Sequence, residues 1–187
     1  MARRAHGVEG AGRPPRLPGI ALGIGLGGFL DGIVLHQVLQ WHHLVSDTGD
    51  HPVSTVAGLE ANTLADGIFH LATWLFVVAG TLLAVRAWQR HELAPPWRSH
   101  VGLLLAGWGA FNVVEGIVDH QILGIHHVRD DLGGPLAWDL GFLVFGASLA
   151  VAGILLARSG ERTAAASRAD RGRAGTESIQ PPPGGNR

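Results

Sequence analysis

A chain of 187 residues has room for one domain, and a composition of 47% hydrophobic and 16% charged residues with 28 glycines is too poor in charge for an ordinary soluble fold. The net charge of -1 excludes an overall basic field for nucleic acid, and the lack of cysteine excludes disulfides, thiolate metal sites and cysteine nucleophiles. Met1 is the only methionine, so a thioether site for Cu(I) is excluded as well.

In chain order, a basic arm (1–16) carrying Arg3, Arg4, Arg13 and Arg16 precedes four apolar stretches, at 17–45, 62–87, 100–125 and 135–157. Each exceeds the roughly 20 helical residues that cross a bilayer. The first is too long for a signal peptide, holds Asp31 in its middle and lacks a small-residue cleavage pattern, so it is expected to remain as an anchor. Of the 14 arginines, 13 fall in the arm, in "VRAWQRHELAPPWRSH" or after residue 157, and only Arg129 lies in the other two connections. The positive-inside rule then places both termini in the cytoplasm of a cell-membrane protein. Trp41 and Trp138 fall near the outer boundary, Trp88 and Trp97 near the inner one. Residues 159–187, rich in Arg, Ala, Gly and Pro, read as a disordered cytoplasmic tail.

"DGIVLHQVLQWHH" from Asp31 returns 84 positions later as "EGIVDHQILGIHH" from Glu115, and "VVAGTLLAVR" returns as "AVAGILLAR". The expected fold is therefore an all-α bundle of four transmembrane helices, built from two tandem two-helix repeats about a pseudo-twofold axis along the membrane normal (17–158). Asp31 is expected to pair with Glu115, His36 with His120, His43 with His127, and Asp66 with Asp139. At helical spacing His36, Gln40 and His43 share a face, while His42 with Asp31, and His126 with Asp119 and Glu115, form another. His70 enters at a similar depth from the second span, roughly 12 Å below Asn62.

A carboxylate at the centre of a membrane helix costs roughly 2.5–3.5 kcal/mol, so such groups are commonly paired or functional. Imidazole and carboxylate without sulfur suit Zn, Fe, Mn or Cu(II), and facing helices that each carry them are how bundles build metal sites. The expected ligands are His36, His70 and His120, with His43, His127 and Asp66 as additional groups. Asp31, Glu115, Asp119, Gln40, Asp139, His42 and His126 are expected to orient ligands or carry protons, in the outer half of the membrane. Alternative readings are a b-type haem held by His36 and His120, a proton or cation path, and a structural subunit binding a partner membrane protein. The zincin HExxH, the paired Glu-x-x-His of ferritin-like sites, the P-loop, the nucleophile elbow and the dinucleotide fingerprint are absent from the sequence.

The stretches "GGFLDGIVLHQVLQWHHL", "ADGIFHLATW" and "GWGAFNVVEGIVDHQILGIHHVRDD" resemble the bacterial membrane proteins grouped as domain of unknown function 2243, with similarity from about Gly19 to Arg158. The resemblance implies a multi-pass membrane protein and assigns no activity to any residue.

Overall fold

A glycine-rich apolar sequence can pack helices only by bringing backbones together, and that is what the chain does. The computed structural model describes residues 15–90, 92 and 96–177. The basic arm up to residue 14 and the tail from 178 lie outside the described residues. α1 (Leu17–Asp31) starts with Pro18 in its first turn, where a missing N–H costs nothing, and passes into a π-helical segment at Gly32–Val38. α2 (Val56–Gln89) is capped by Thr55, whose side-chain oxygen accepts from the Gly58 N–H at 3.1 Å. α3 (Trp97–Glu115) passes into a second π-helical segment at Gly116–Leu123, and α4 (Leu136–Glu177) follows a short 3₁₀ turn at Asp130–Leu132. No strand occurs among the described residues, and four helices are long and apolar enough to cross a membrane.

The helices form a row in the order α2, α1, α3, α4, so α1 and α3 are the central pair. Gly23 and Gly107 make the central crossing: a Cβ on either would strike the facing backbone, at the carbonyl of Leu104 or of Ile20. α2 closes on α1 where Gly25 meets Thr73 and Val77, and α4 closes on α3 where Gly109 meets Gly146 and Ala150. Small residues at such contacts are the usual basis of packing in lipid. The burial pattern is inverted relative to a soluble protein. Leu64, Ile68, Val144 and Leu155 are among many apolar side chains on the outside, whereas the largest fully buried side chains include His36, His126, Asn62, Asp66 and Asp139.

Two boundaries differ from the sequence expectation for physical reasons. The first span ends at Val38 rather than 45, because the wider π turn leads into Gln40, which adopts φ 50° and turns the chain out of the helix. Gly124, 84 residues on, holds φ 57° at the same point. At the other end, residues 159–177 continue α4 as helix where a disordered tail was expected. Ala164, Ala165, Ala166 and the arginines favour helix, and Arg16 clamps Glu161 with two bonds of 3.0 and 2.8 Å.

Candidate metal centre

The two π segments and the loops after them carry the site. In the first half the Trp41 N–H reaches back to the Leu35 carbonyl at 3.0 Å, and in the second the Ile125 N–H reaches the Asp119 carbonyl at 3.1 Å. These widened turns throw the following residues across the central helix pair. The Asp47 N–H then bonds the Ile125 carbonyl at 3.0 Å, and the Asp131 N–H bonds the Trp41 carbonyl at 3.2 Å, tying each loop to the other.

This crossing brings in His42 and His126. The His42 Nδ1 donates to the Val128 carbonyl and the His126 Nδ1 to the Leu44 carbonyl, both at 3.0 Å. Since a carbonyl only accepts, each ring carries its proton on Nδ1 and presents a lone pair on Nε2. The two imidazoles stack with centroids 4.7 Å apart and planes 12° from parallel. His36 lies edge-on to His42 at 4.5 Å, and His120 edge-on to His126 at 4.8 Å. Beneath the rings, the Asp31 Oδ2 is 3.4 Å from the His36 Nε2, and the Glu115 Oε1 is 3.6 Å from the His126 Nε2. All six side chains are buried.

The donor set is rich in unused lone pairs. The Nε2 atoms of His36, His42, His120 and His126, the Asp31 Oδ2 and both oxygens of Glu115 are buried without a hydrogen-bond partner. Three overlapping groups have ligand atoms within 4.8 Å of one another: His36, His42 and His126; Glu115, His120 and His126; and Asp31, His36 and Glu115. Burial, with His36 next in effect, lowers the His42 pKa to about 4, and burial followed by the nearby His42 holds His126 well below the usual histidine value. Both rings are therefore neutral near pH 7, the form that ligates metals.

A supporting layer holds these rings. The Asp66 carboxylate accepts from His36 Nδ1 at 2.9 Å, His43 Nδ1 at 2.7 Å, the Leu44 N–H at 2.9 Å and Gln37 Nε2 at 3.1 Å. Asp139 repeats the arrangement with His127 Nδ1 at 2.7 Å, the Val128 N–H at 3.0 Å and Gln121 Nε2 at 3.3 Å, while His120 Nδ1 stays at 3.6 Å from it.

Of the sequence-derived ligands, His36 and His120 lie in the cluster, and Asp31 meets Glu115 there. His43, His127, Asp66 and Asp139 do not pair across the centre: each histidine instead bonds the aspartate of its own half. His70 stands outside. Its Nδ1 donates to the Asp66 backbone carbonyl at 2.8 Å, and its ring packs on Phe29 and Gly32. Leu143 packs on Gly116 in the same way in the second half. Gln40 is exposed, and Asp119 lines a separate cavity with Glu115. His42 and His126 take the central places because the chain leaves the helix before them, which helical spacing could not foresee. Gln37 and Gln121 also belong to the supporting layer, and the 84-residue repetition of "HQ" is the sequence signal that marks them.

The family model described as "Predicted membrane protein (DUF2243)" matches residues 18–160, more than three-quarters of the chain. The chain belongs to this family. No curated protein and no solved structure matches it. Membership in DUF2243 makes the bilayer the surroundings of the four apolar helices and leaves the activity open, so the chemistry rests on the cluster itself.

Proposed function

We propose that this membrane protein holds a transition-metal ion through His36, His42, His120 and His126 with Asp31 and Glu115. The observation that carries the reading is that His36, His42, His120 and His126 fall in overlapping groups of close ligand atoms and that each keeps a buried Nε2 with no hydrogen-bond partner. Metal-bound histidines ordinarily donate their other ring N–H to a carboxylate or backbone carbonyl; His36 does so to Asp66, His42 to Val128 and His126 to Leu44. A network made only for helix association would satisfy those nitrogens, since each orphaned buried acceptor costs about 1–3 kcal/mol. An ion among them removes that cost, and the nitrogen and oxygen donors suit Zn, Fe, Mn or Cu(II). Haem suits the site less well: His36 and His120 both pack against His126, with ring centroids 5.9 and 4.8 Å away, which leaves no slab for a macrocycle between them.

In this reading the protein is a duplicated two-helix hairpin with a pseudo-twofold axis through the stacked His42 and His126 rings. Support comes from the reciprocal bonds His42 to Val128 and His126 to Leu44, made by residues 84 positions apart. With both termini cytoplasmic, as the arginine distribution argues, the cluster faces the extracytoplasmic side of the cell membrane. The test is metal analysis by mass spectrometry after extraction in mild detergent without chelators. A stoichiometric transition metal is expected; protein without metal, also after incubation with Zn, Fe(II), Mn and Cu(II), overturns the proposal.

A further inference from the structure

Beside the cluster, α1, α3 and α4 enclose a groove of about 470 Å³ that shares only Asp31 with the proposed metal site. Its walls include Leu30, Trp108, Trp138, Phe142 and Phe145. Leu30, Trp138 and Phe145 are each more than 40% exposed, so the groove opens on the outer, lipid-facing surface of the bundle. Trp138 stands 5.5 Å from Trp41, and the Arg129 guanidinium lies over both rings, at 4.5 Å from Trp41 and 5.1 Å from Trp138. This aromatic and cationic layer is typical of a membrane boundary. Two polar side chains line the groove. Asp31 is 7% exposed and Asn112 3%, and each carries a buried oxygen without a hydrogen-bond partner, Oδ2 and Oδ1 respectively.

These features constrain the occupant. It reaches the groove through lipid, so it is mostly apolar. It faces several aromatic rings, which favour a flat aromatic body over a flexible chain. The Asn112 Oδ1, outside the metal cluster, is an acceptor, as is the Asp31 carboxylate that the cluster shares, so the occupant supplies hydroxyl donors. The volume lies within the roughly 300–1,000 Å³ usual for a small-molecule site. The opposite face shows the contrast: a cavity of about 350 Å³ between α1, α2 and α3 is lined by Glu115 and Asp119 but by no tryptophan and no amide.

We infer that the groove binds a membrane-dissolved quinol, its aromatic ring between the tryptophan and phenylalanine walls and its hydroxyl groups donating to Asn112 and Asp31. Asp31 is shared with the metal cluster, so the inference gives that cluster a neighbouring ligand, but it rests on the groove and not on the ion.

The test uses the full chain in phosphatidylcholine nanodiscs, titrated anaerobically with a decyl-substituted benzoquinol and followed by tryptophan fluorescence. Gly141 lines the groove, and a Cβ placed on it meets no atom within 4 Å, so Gly141→Leu starts its side chain in open space at the groove wall. Saturable quenching is expected for the unaltered protein, with at least tenfold weaker binding in Gly141→Leu and weaker binding in Asn112→Ala. Metal content is measured on the same samples and is expected to be unchanged in Gly141→Leu, so a failed quinol site and a failed metal site are read apart. Non-saturable quenching, equal affinity in Gly141→Leu, or displacement of the quinol by an equal concentration of 1-decanol overturns the inference.

Discussion

Truncation of Asp66 to alanine is expected to be the most damaging single change in the layer that supports the cluster. Asp66 is 1% exposed and accepts four hydrogen bonds, from His36, His43, Gln37 and the Leu44 N–H. Gln37 lies on an exposed position and His43 is partly exposed, so both can turn to water, whereas the His36 ring is fully buried. A hydrogen bond to a charged group is worth about 1.5–3 kcal/mol, and the two donors least able to reach water, His36 Nδ1 and the Leu44 N–H, bring the cost to about 3–5 kcal/mol. Asp139→Ala strands three bonded donors, and the histidine in the His36 position, His120, lies beyond bonding distance at 3.6 Å, so about 2–3 kcal/mol is expected there. Asp66→Asn keeps one oxygen and falls below both. The assay is equilibrium unfolding in mixed detergent micelles, followed by tryptophan fluorescence. An Asp66→Ala loss under about 1 kcal/mol, or a larger loss from Asp139→Ala than from Asp66→Ala, refutes the reasoning.

Other expectations follow from the same geometry. Gly107→Val drives a branched side chain into the Ile20 carbonyl and Gly23 at the central crossing; a loss of at least about 1–3 kcal/mol is expected in the same unfolding assay, and neutrality contradicts the packing. Gly124 sits at φ 57° with no atom near its missing Cβ, so Gly124→Ala is purely a backbone test, expected to cost about 1–2 kcal/mol. His42 has a folded-state pKa of about 4 against about 6.5 unfolded, so the unfolded chain binds more protons and stability rises with pH. The contribution, on the order of 3 kcal/mol, is complete above about pH 6.5 and is lost as the pH falls through about 4. Stability that does not change between pH 7 and 4.5, or the same pH profile in His42→Gln, contradicts it.

The helical architecture was legible because lipid demands long apolar runs, and the four runs stand clear in the sequence. Their ends were not, because they depend on local chemistry that hydropathy does not register: the Thr55 cap starts α2 six residues before the expected 62, and the π segment with Gln40 in a left-handed conformation stops the first span at Val38. Those ends decide the site. Extending an ideal helix to residue 45 puts His43 with His36 and turns His42 away; the actual chain keeps His43 beside His36 on the Asp66 carboxylate but sends His42 to the centre. Asp31 and Glu115 precede the break and His36 and His120 fall within the π turns, so helical spacing still locates them, and the structure brings Asp31 to Glu115 and His36. His70 was grouped with them by depth alone. Depth does not fix the direction of a side chain on α2, and its ring turns to Phe29 and Gly32.

That difference supplies the most direct measurement: metal retained per protein, by mass spectrometry, in His126→Ala and in His70→Leu. The structure places His126 at the centre of the cluster and His70 in the packing position that Leu143 fills in the other half. His126→Ala is expected to lose the metal, and His70→Leu to keep it at the level of the unaltered protein. Full metal retention in His126→Ala, or its loss in His70→Leu, would contradict the proposed centre.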